Sequence, residues 1–465
     1  MIFDDSSYSE EEKDLVNRFE QSLKEGSTCY FDEDDYITIF DYYIDKEDNE
    51  SCEKVLQFAE SQHVFSVDIM DCRARLLAAE GFYDKALIIV EKALNIDRQN
   101  IDVLLTKGKI LLHTDRKAEA AEVFERTIQM EDDDLDATLI EIGVAYRAVN
   151  MLSLSKKYLS EAIRLNKESE EALTELGYVY ELCNQFDLAL QTYEKVLDIN
   201  PYSKQTWIAL GNIYFNLENF EKAGESYDYA YTIDSHQTQA LFLKGSSLFC
   251  SNKYAEAIEV FEEYNDLMGE NSDCYANIGD CYENMGRYQD AIDAYSRALN
   301  LNAEDTTIMA NLCIANIDKG DYEEAQKWIN EAISRDPEKS VFYVYKAEAF
   351  VNLNQKDEAI DCYKKAILLD DKQVIAYIAL GNIYFDNQSY STAMMYLDKA
   401  YSINPNAEDI KLYLSLVYYK LGDFEKSKSL LKQACIENEN SINVFYDICP
   451  DAKRNTLFKS FSPLK

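Results

Sequence analysis

From Glu33 onward, apolar, small and aromatic residues return to the same phase every 34 residues. Units aligned to start at 67, 101, 136, 170, 204, 238, 272, 306, 340, 374 and 408 share one pattern, with one residue inserted near Glu131–Asp134. A degenerate further unit starts at Glu33, with Tyr36, Tyr43, Cys52, Leu56 and Ala59 in register. Position 8 of each unit is small throughout, from Ala74 and Gly108 to Ser415, and so is position 20, from Ala86 to Ser427. The two positions fall on two successive helices that must approach closely, and a larger residue there would overpack by roughly 1–3 kcal/mol. Gly81, Gly286, Gly320 and Gly422 stand at position 15, between the two helices, where a left-handed backbone closes the first. Position 17 is mostly aromatic, as in Tyr83, Phe186, Tyr254 and Tyr390, and position 24 carries Phe124, Tyr193, Tyr227, Phe261 or Tyr295. Pro201, Pro337 and Pro405 fall at position 32, where they stop the second helix. The pattern predicts an all-α chain of stacked helix pairs.

The ends depart from the period. Residues 1–32 form an acidic leader in which Ser9–Lys24 is a candidate helix, with Leu15, Phe19 and Leu23 on one face and Gly26 as its stop. The repeats run over 33–441. Residues 442–450 follow as a capping helix, with Phe445, Ile448 and Cys449 at positions 4, 7 and 8 before Pro450. Residues 451–465 are expected to be a mobile, net basic tail.

Within the unit at 204, Trp207, Leu210, Gly211 and Tyr214 precede Ala223, Tyr227 and Ala230. This is the order W-x2-L-G-x2-Y…A-x3-F/Y. The octapeptide IALGNIYF at 208–215 recurs at 378–385, an offset of five periods. On these residues the array resembles the tetratricopeptide repeat (TPR) family over 33–441, about nine-tenths of the chain. The resemblance implies a right-handed superhelical solenoid of antiparallel helix pairs, with first helices lining a concave groove that binds extended peptides or partner helices.

By the same resemblance, positions 2, 5, 9, 12 and 13 face the groove. The partner-binding candidates are Asn212, Phe215, Phe242, Phe249, Asp280, Glu283, Glu348, Asn382 and Phe385. The phenylalanines would anchor, the carboxylates orient, and the asparagines bond the ligand backbone; packing of the rings between first helices is the structural alternative. One TPR subclass clamps a C-terminal carboxylate with Lys, Arg and Asn. Asn212 and Asn382 sit where a clamp Asn would, but none of the groove positions between Ala148 and Tyr419 is Lys or Arg. Basic groove residues occur only at Arg75, Lys109, Arg147 and Lys420.

Charge sharpens the partner. The net charge of −40, from 86 acidic against 46 basic residues, repels phosphate backbones and anionic lipid, so neither nucleic acid nor membrane is expected. A basic, apolar protein or peptide fits instead. The same charge also serves solubility. The 11 cysteines are odd in number and scattered without a CxxC, as in reduced, packed thiols, and no signal peptide or membrane span is legible. The expected location is cytoplasmic.

Candidate chemistry is sparse. His63, His113 and His236 are far apart in sequence and form no metal motif. Cys274 and Cys281 could share a helix face but lack further ligands. The acidic runs Asp32–Asp35 and Glu131–Asp136 lack the glycine turn and bidentate Glu of a calcium loop. No catalytic residue, metal or cofactor is expected, and the chain is read as a non-enzymatic interaction scaffold. A holding chaperone or assembly factor for basic, apolar clients is the first alternative. Self-association, through solenoid ends or a basic tail lying in an acidic groove, is the second.

Overall fold

The computed structural model describes residues 9–25, 30–130, 134–235, 238–407, 409–455 and 457–458. The expected helix stop at Gly26, part of the acidic run at Glu131–Asp133, His236 and the tail from 459 lie outside the described residues. Among the described residues there are 26 α-helices and no strand. The chain divides into two compact units, 1–217 and 218–465, and the division falls between the two helices of the repeat at 204.

In the first unit, the leader forms a helix, Glu10–Glu25. Ser9 begins it with a reciprocal cap: its hydroxyl accepts from the Glu12 amide (3.2 Å), and the Glu12 carboxylate accepts from the Ser9 amide (2.7 Å). Val16 and Phe19 of this helix are buried against Tyr36, Phe40 and Leu56 of the degenerate unit, while Leu15 and Leu23 are partly buried beside them. First helices then start at Val67, Ile101, Leu135, Glu170 and Lys204, on the 34-residue register or one residue before it. Three of these starts are capped by side chains: Ser66 accepts from Ile69 N (2.9 Å), Asn100 from Val103 N (3.0 Å) and Ser169 from Ala172 N (3.2 Å).

Second helices begin at position 17 in every repeat, at Tyr83, Lys117, Leu152 and Phe186 in the first unit and at Phe220, Tyr254, Tyr288, Tyr322, Lys356, Tyr390 and Phe424 in the second. The turn before them has one construction. Position 15 is left-handed in all eleven repeats, as glycine (Gly286, φ 71°), asparagine (Asn184, φ 54°) or a longer side chain (Gln388, φ 59°). The next amide reaches back over the helix end, as Arg287 N does to Tyr282 O (2.8 Å). Position 20 packs as the period requires, and every residue there from Ala86 to Ser427 is completely buried.

Positions 8 and 20 approach closely, as the buried bond from the Ser427 hydroxyl to the Ser415 carbonyl (2.8 Å) shows, and position 8 has a second close neighbour besides. A methyl on Gly279 would lie 2.4 Å from the Tyr295 ring, and one on Gly177 would lie 2.6 Å from Tyr193. The space that glycine leaves is therefore filled by the large side chain at position 24, a neighbour that the sequence reading did not name.

The second unit ends in the helix Ser441–Ile448 and a 3-10 turn, Pro450–Arg454. Here the expectation of a mobile tail from 451 is corrected as far as 458. Phe458 is fully buried and stacks on Phe445 (ring centroids 5.5 Å), Tyr446 donates to the Phe458 carbonyl (3.0 Å), and Tyr419 donates to Asp451 (3.0 Å). The reason is apolar area: the last repeat presents Leu416, Tyr419 and Leu431 with no following repeat, and Phe445, Ala452 and Phe458 cover them.

Candidate functional site

Within each unit, first helices of neighbouring repeats also pack on one another, as Val67–Ala79 does on Ile101–His113 and Thr306–Lys319 on Ser340–Asn352, so each unit has a face of first helices. In the first unit this face carries the basic residues that the sequence places in the groove. Each is already engaged: Arg75 with Asp41 (2.8 Å), Lys109 with Glu141, and Arg147 with Glu175 (2.9 Å). These pairs cross between first helices of neighbouring repeats and leave no bare cationic cluster among the three.

A cavity of about 1110 Å³ opens on the same face. Its carboxylates are Glu12, Asp34, Asp41, Asp45, Asp68, Asp71, Asp102 and Glu141, against Arg75 and Lys109. Asp71 differs from the rest. It is the one fully buried carboxylate among the described residues, 6% exposed, and its Oδ1 has no hydrogen-bond partner. Burial pushes its acid up to about 6, partly offset by the neighbouring Thr106 hydroxyl and by Arg75, while Asp102 pushes the same way as burial.

In the second unit, the first-helix face gathers Asp280, Glu283, Asp318 and Glu348 from the helices Ser272–Asn284, Thr306–Lys319 and Ser340–Asn352. Tyr295 approaches Asp280 at 2.6 Å and Glu283 at 3.0 Å, and Asn311 donates to Asp280 (3.4 Å). A phenol has one proton for two carboxylates, so one of them must itself carry a proton or bear the repulsion. Burial, with the charges of Asp280 and Asp318, pushes Glu283 up to about 7. Burial and then Asp318 raise Glu348, and burial raises Asp280 against its bond from Tyr295. The cluster is short of donors and cations.

The other candidates are spread more widely. Asn212 is exposed and Phe215 half-buried on the last helix of the first unit. Phe242 is half-buried between Phe261 (5.5 Å) and Tyr264 (5.6 Å). Phe249 packs on Tyr254 (5.6 Å) and Phe385 on Tyr390 (5.4 Å), each resting on the first residue of its own second helix. Asn382 is half-buried. The structure thus brings Asp280, Glu283 and Glu348 into one electrostatic cluster and sets Phe242, Phe249 and Phe385 against neighbouring aromatic rings.

The Asp71 cavity is absent from the sequence candidates, although the signal was present. The groove positions applied to the units at 33, 67 and 101 yield Asp34, Asp41, Asp45, Asp68, Asp71 and Asp102. Arg75 and Lys109 on the same face masked it, because their partners sit on other helices.

Metal and nucleophile chemistry gain no geometry. His63 contacts the Phe31 carbonyl (3.1 Å), and His113 stacks on Tyr83 (5.8 Å). Cys274 and Cys281 are fully buried, and burial pushes both thiols up to about 12. Among the described residues no three His, Cys, Asp or Glu side chains are placed to hold a metal ion together, and no helix is long and apolar enough to cross a membrane.

Family models described as tetratricopeptide repeats match residues 170–203, 205–237, 272–305, 311–339 and 347–388. A model for subunit 3 of the anaphase-promoting complex, or cyclosome, matches 386–453. None of these describes a catalytic domain. Among solved structures, yeast Tom70 is similar at 15% identity over 92% of this chain and 99% of that one, with a TM-score of 0.48. The APC/C hetero-tetramer Cut9–Hcn1 is similar at 14% identity over 90% of each chain, with a TM-score of 0.43. YrrB, a TPR protein with an unusual peptide-binding site, is similar at 21% identity over 40% of this chain and 96% of that one, with a TM-score of 0.33. No curated protein sequence matches.

Proposed function

The chain is a tetratricopeptide repeat protein, the family's repeats bind protein partners, and we propose that this one is a non-enzymatic scaffold holding a basic, apolar protein segment on its first-helix face. The observation that carries this reading is the cluster of Asp280, Glu283, Asp318 and Glu348, half-buried or rim carboxylates supplied with too few protons and no cation of their own in the cluster. Carboxylates held this way favour an incoming cation, which gains charge-assisted bonds and lowers the cost of their burial. Phe242, Phe249 and Phe385 add half-exposed ring area for the apolar part of the segment, and Asn382 offers an amide to its backbone. The ten cysteines among the described residues are free, which fits the proposed cytoplasmic setting.

The test is a peptide array of varied charge, probed with the wild type and with Asp280→Asn/Glu283→Gln/Glu348→Gln at low and near-physiological salt. Selection of basic peptides with aromatic or aliphatic residues, weakened by salt and lost in the variant, supports the reading. Selection of acidic peptides, or the same selection by both proteins, overturns it. Broad retention of unrelated apolar peptides by the wild type would turn the reading toward the holding-chaperone alternative.

A further inference from the structure

The cavity of the first unit has a feature that packing alone does not explain. A buried carboxylate normally has its oxygens met by donors, because burial takes away the water that would otherwise bond them. Asp71 has an unmet Oδ1 at 6% exposure. The two nearest cations do not supply the partner: Arg75 is bound to Asp41 and Lys109 to Glu141. Asp68 and Asp102 border the same cavity, and Asp68 already accepts from Asn100 (3.1 Å). The surroundings are therefore negative, open on one side and short of one donor.

The occupant follows from this chemistry. Anions are repelled. Among the described residues no three His, Cys, Asp or Glu side chains are placed to hold a metal ion together, so a chelated metal does not fit. The cavity, at about 1110 Å³, exceeds the roughly 300–1,000 Å³ of ordinary small-molecule pockets. It has room for several residues of an extended chain, with Leu105, Ile110 and Tyr83 as apolar wall. We infer that this cavity seats a lysine or arginine side chain of an extended protein segment, with its cationic head beside the Asp71 carboxylate and between Asp68 and Asp102. This rests on the reading that the first-helix face binds basic segments, and it adds a second binding point, in the other unit from the Asp280–Glu348 cluster.

The experiment measures the affinity of capped tetra-lysine, tetra-arginine and tetra-citrulline peptides for the full chain. Asp71→Asn is compared with Glu262→Gln, which removes one charge from an exposed second-helix position. The expected result is binding of both cationic peptides but not the citrulline peptide, weakened about tenfold by Asp71→Asn and less than about twofold by Glu262→Gln. Circular dichroism melting checks that the variant folds. If it does not, Asp68→Asn/Asp102→Asn, at the less buried rim, replaces it and is expected to weaken binding about fivefold. Equal small losses in the Asp71 and Glu262 variants would mean attraction by net charge only and overturn the site, as would no binding to the wild type. If Asp280→Asn/Glu283→Gln/Glu348→Gln abolishes binding while Asp71→Asn leaves it unchanged, the first-helix face stands and the Asp71 site falls.

Discussion

At Gly279 a missing side chain holds a neighbouring one in place. The Tyr295 ring fills the space, and its hydroxyl lies between Asp280 and Glu283. Gly279→Ala gains helix propensity of about 1 kcal/mol but forces the ring out of a 2.4 Å overlap. The net is expected to be a loss of roughly 1–3 kcal/mol, read by urea denaturation, together with a lowered pKa for Glu283 as the site opens to water. Glu283 itself makes stability depend on pH. Its acid is raised from 4.5 to about 7, so the folded state binds more protons than the unfolded state between those values. Stability from this group is full below about 4.5 and lost as pH rises through about 7. Glu283→Gln is expected to stabilise the protein at pH 8 by about 1–2 kcal/mol, after allowance for solvent access, and to leave it little changed at pH 4.5. Thermal melts at the two pH values check this. That position 8 must be small was legible in the sequence. What makes it so, a position-24 ring sixteen residues on, was not, because the contact depends on how two helices are rotated against each other.

Among the elements, the turn at position 15 shows how much the period carries. The glycines at 81, 286, 320 and 422 revealed the left-handed residue, and position 17 marked the start of each second helix. The structure extends the same conformation to Asn150, Asn184, Glu218 and Gln388, which composition alone did not announce. Gln388 has a φ of 59° and no close steric rescue from its own type. Gln388→Gly is expected to raise stability by about 0.5–1 kcal/mol, because glycine enters this region without the Cβ penalty. A chemical-denaturation midpoint that falls instead would mean that the glutamine side chain holds the turn. The chain's end was less legible: Phe458 lies beyond the last periodic position, and only the uncovered core of the final repeat accounts for its burial.

For the whole molecule, the period identifies the repeats but not the division into two compact units. The boundary at 217/218 falls inside the unit that matches the repeat pattern best, and no proline or glycine cluster marks it. Charge is the other molecular property. With a net charge of −40, association with any basic partner will be fast and salt-sensitive wherever it binds. Salt dependence alone therefore does not locate the site. The ion pairs of Arg75, Lys109 and Arg147 do more, since they convert the only basic residues of the first unit's groove positions into bridges between repeats. The sequence showed those cations without their partners, and that is why it placed the site in the later repeats alone.

The central claim is that partners bind the first-helix face, and site-specific photo-crosslinking in native lysate tests it most directly. A photoreactive residue would replace Asn284 or Asn352 on first helices, or Glu262 or Lys364 on second helices, all four being exposed. The expected result is crosslinked protein from positions 284 and 352, with adduct peptides rich in Lys and Arg, and little from 262 and 364. Adducts chiefly from 262 and 364, or adducts from 284 and 352 that are acidic, would contradict the claim.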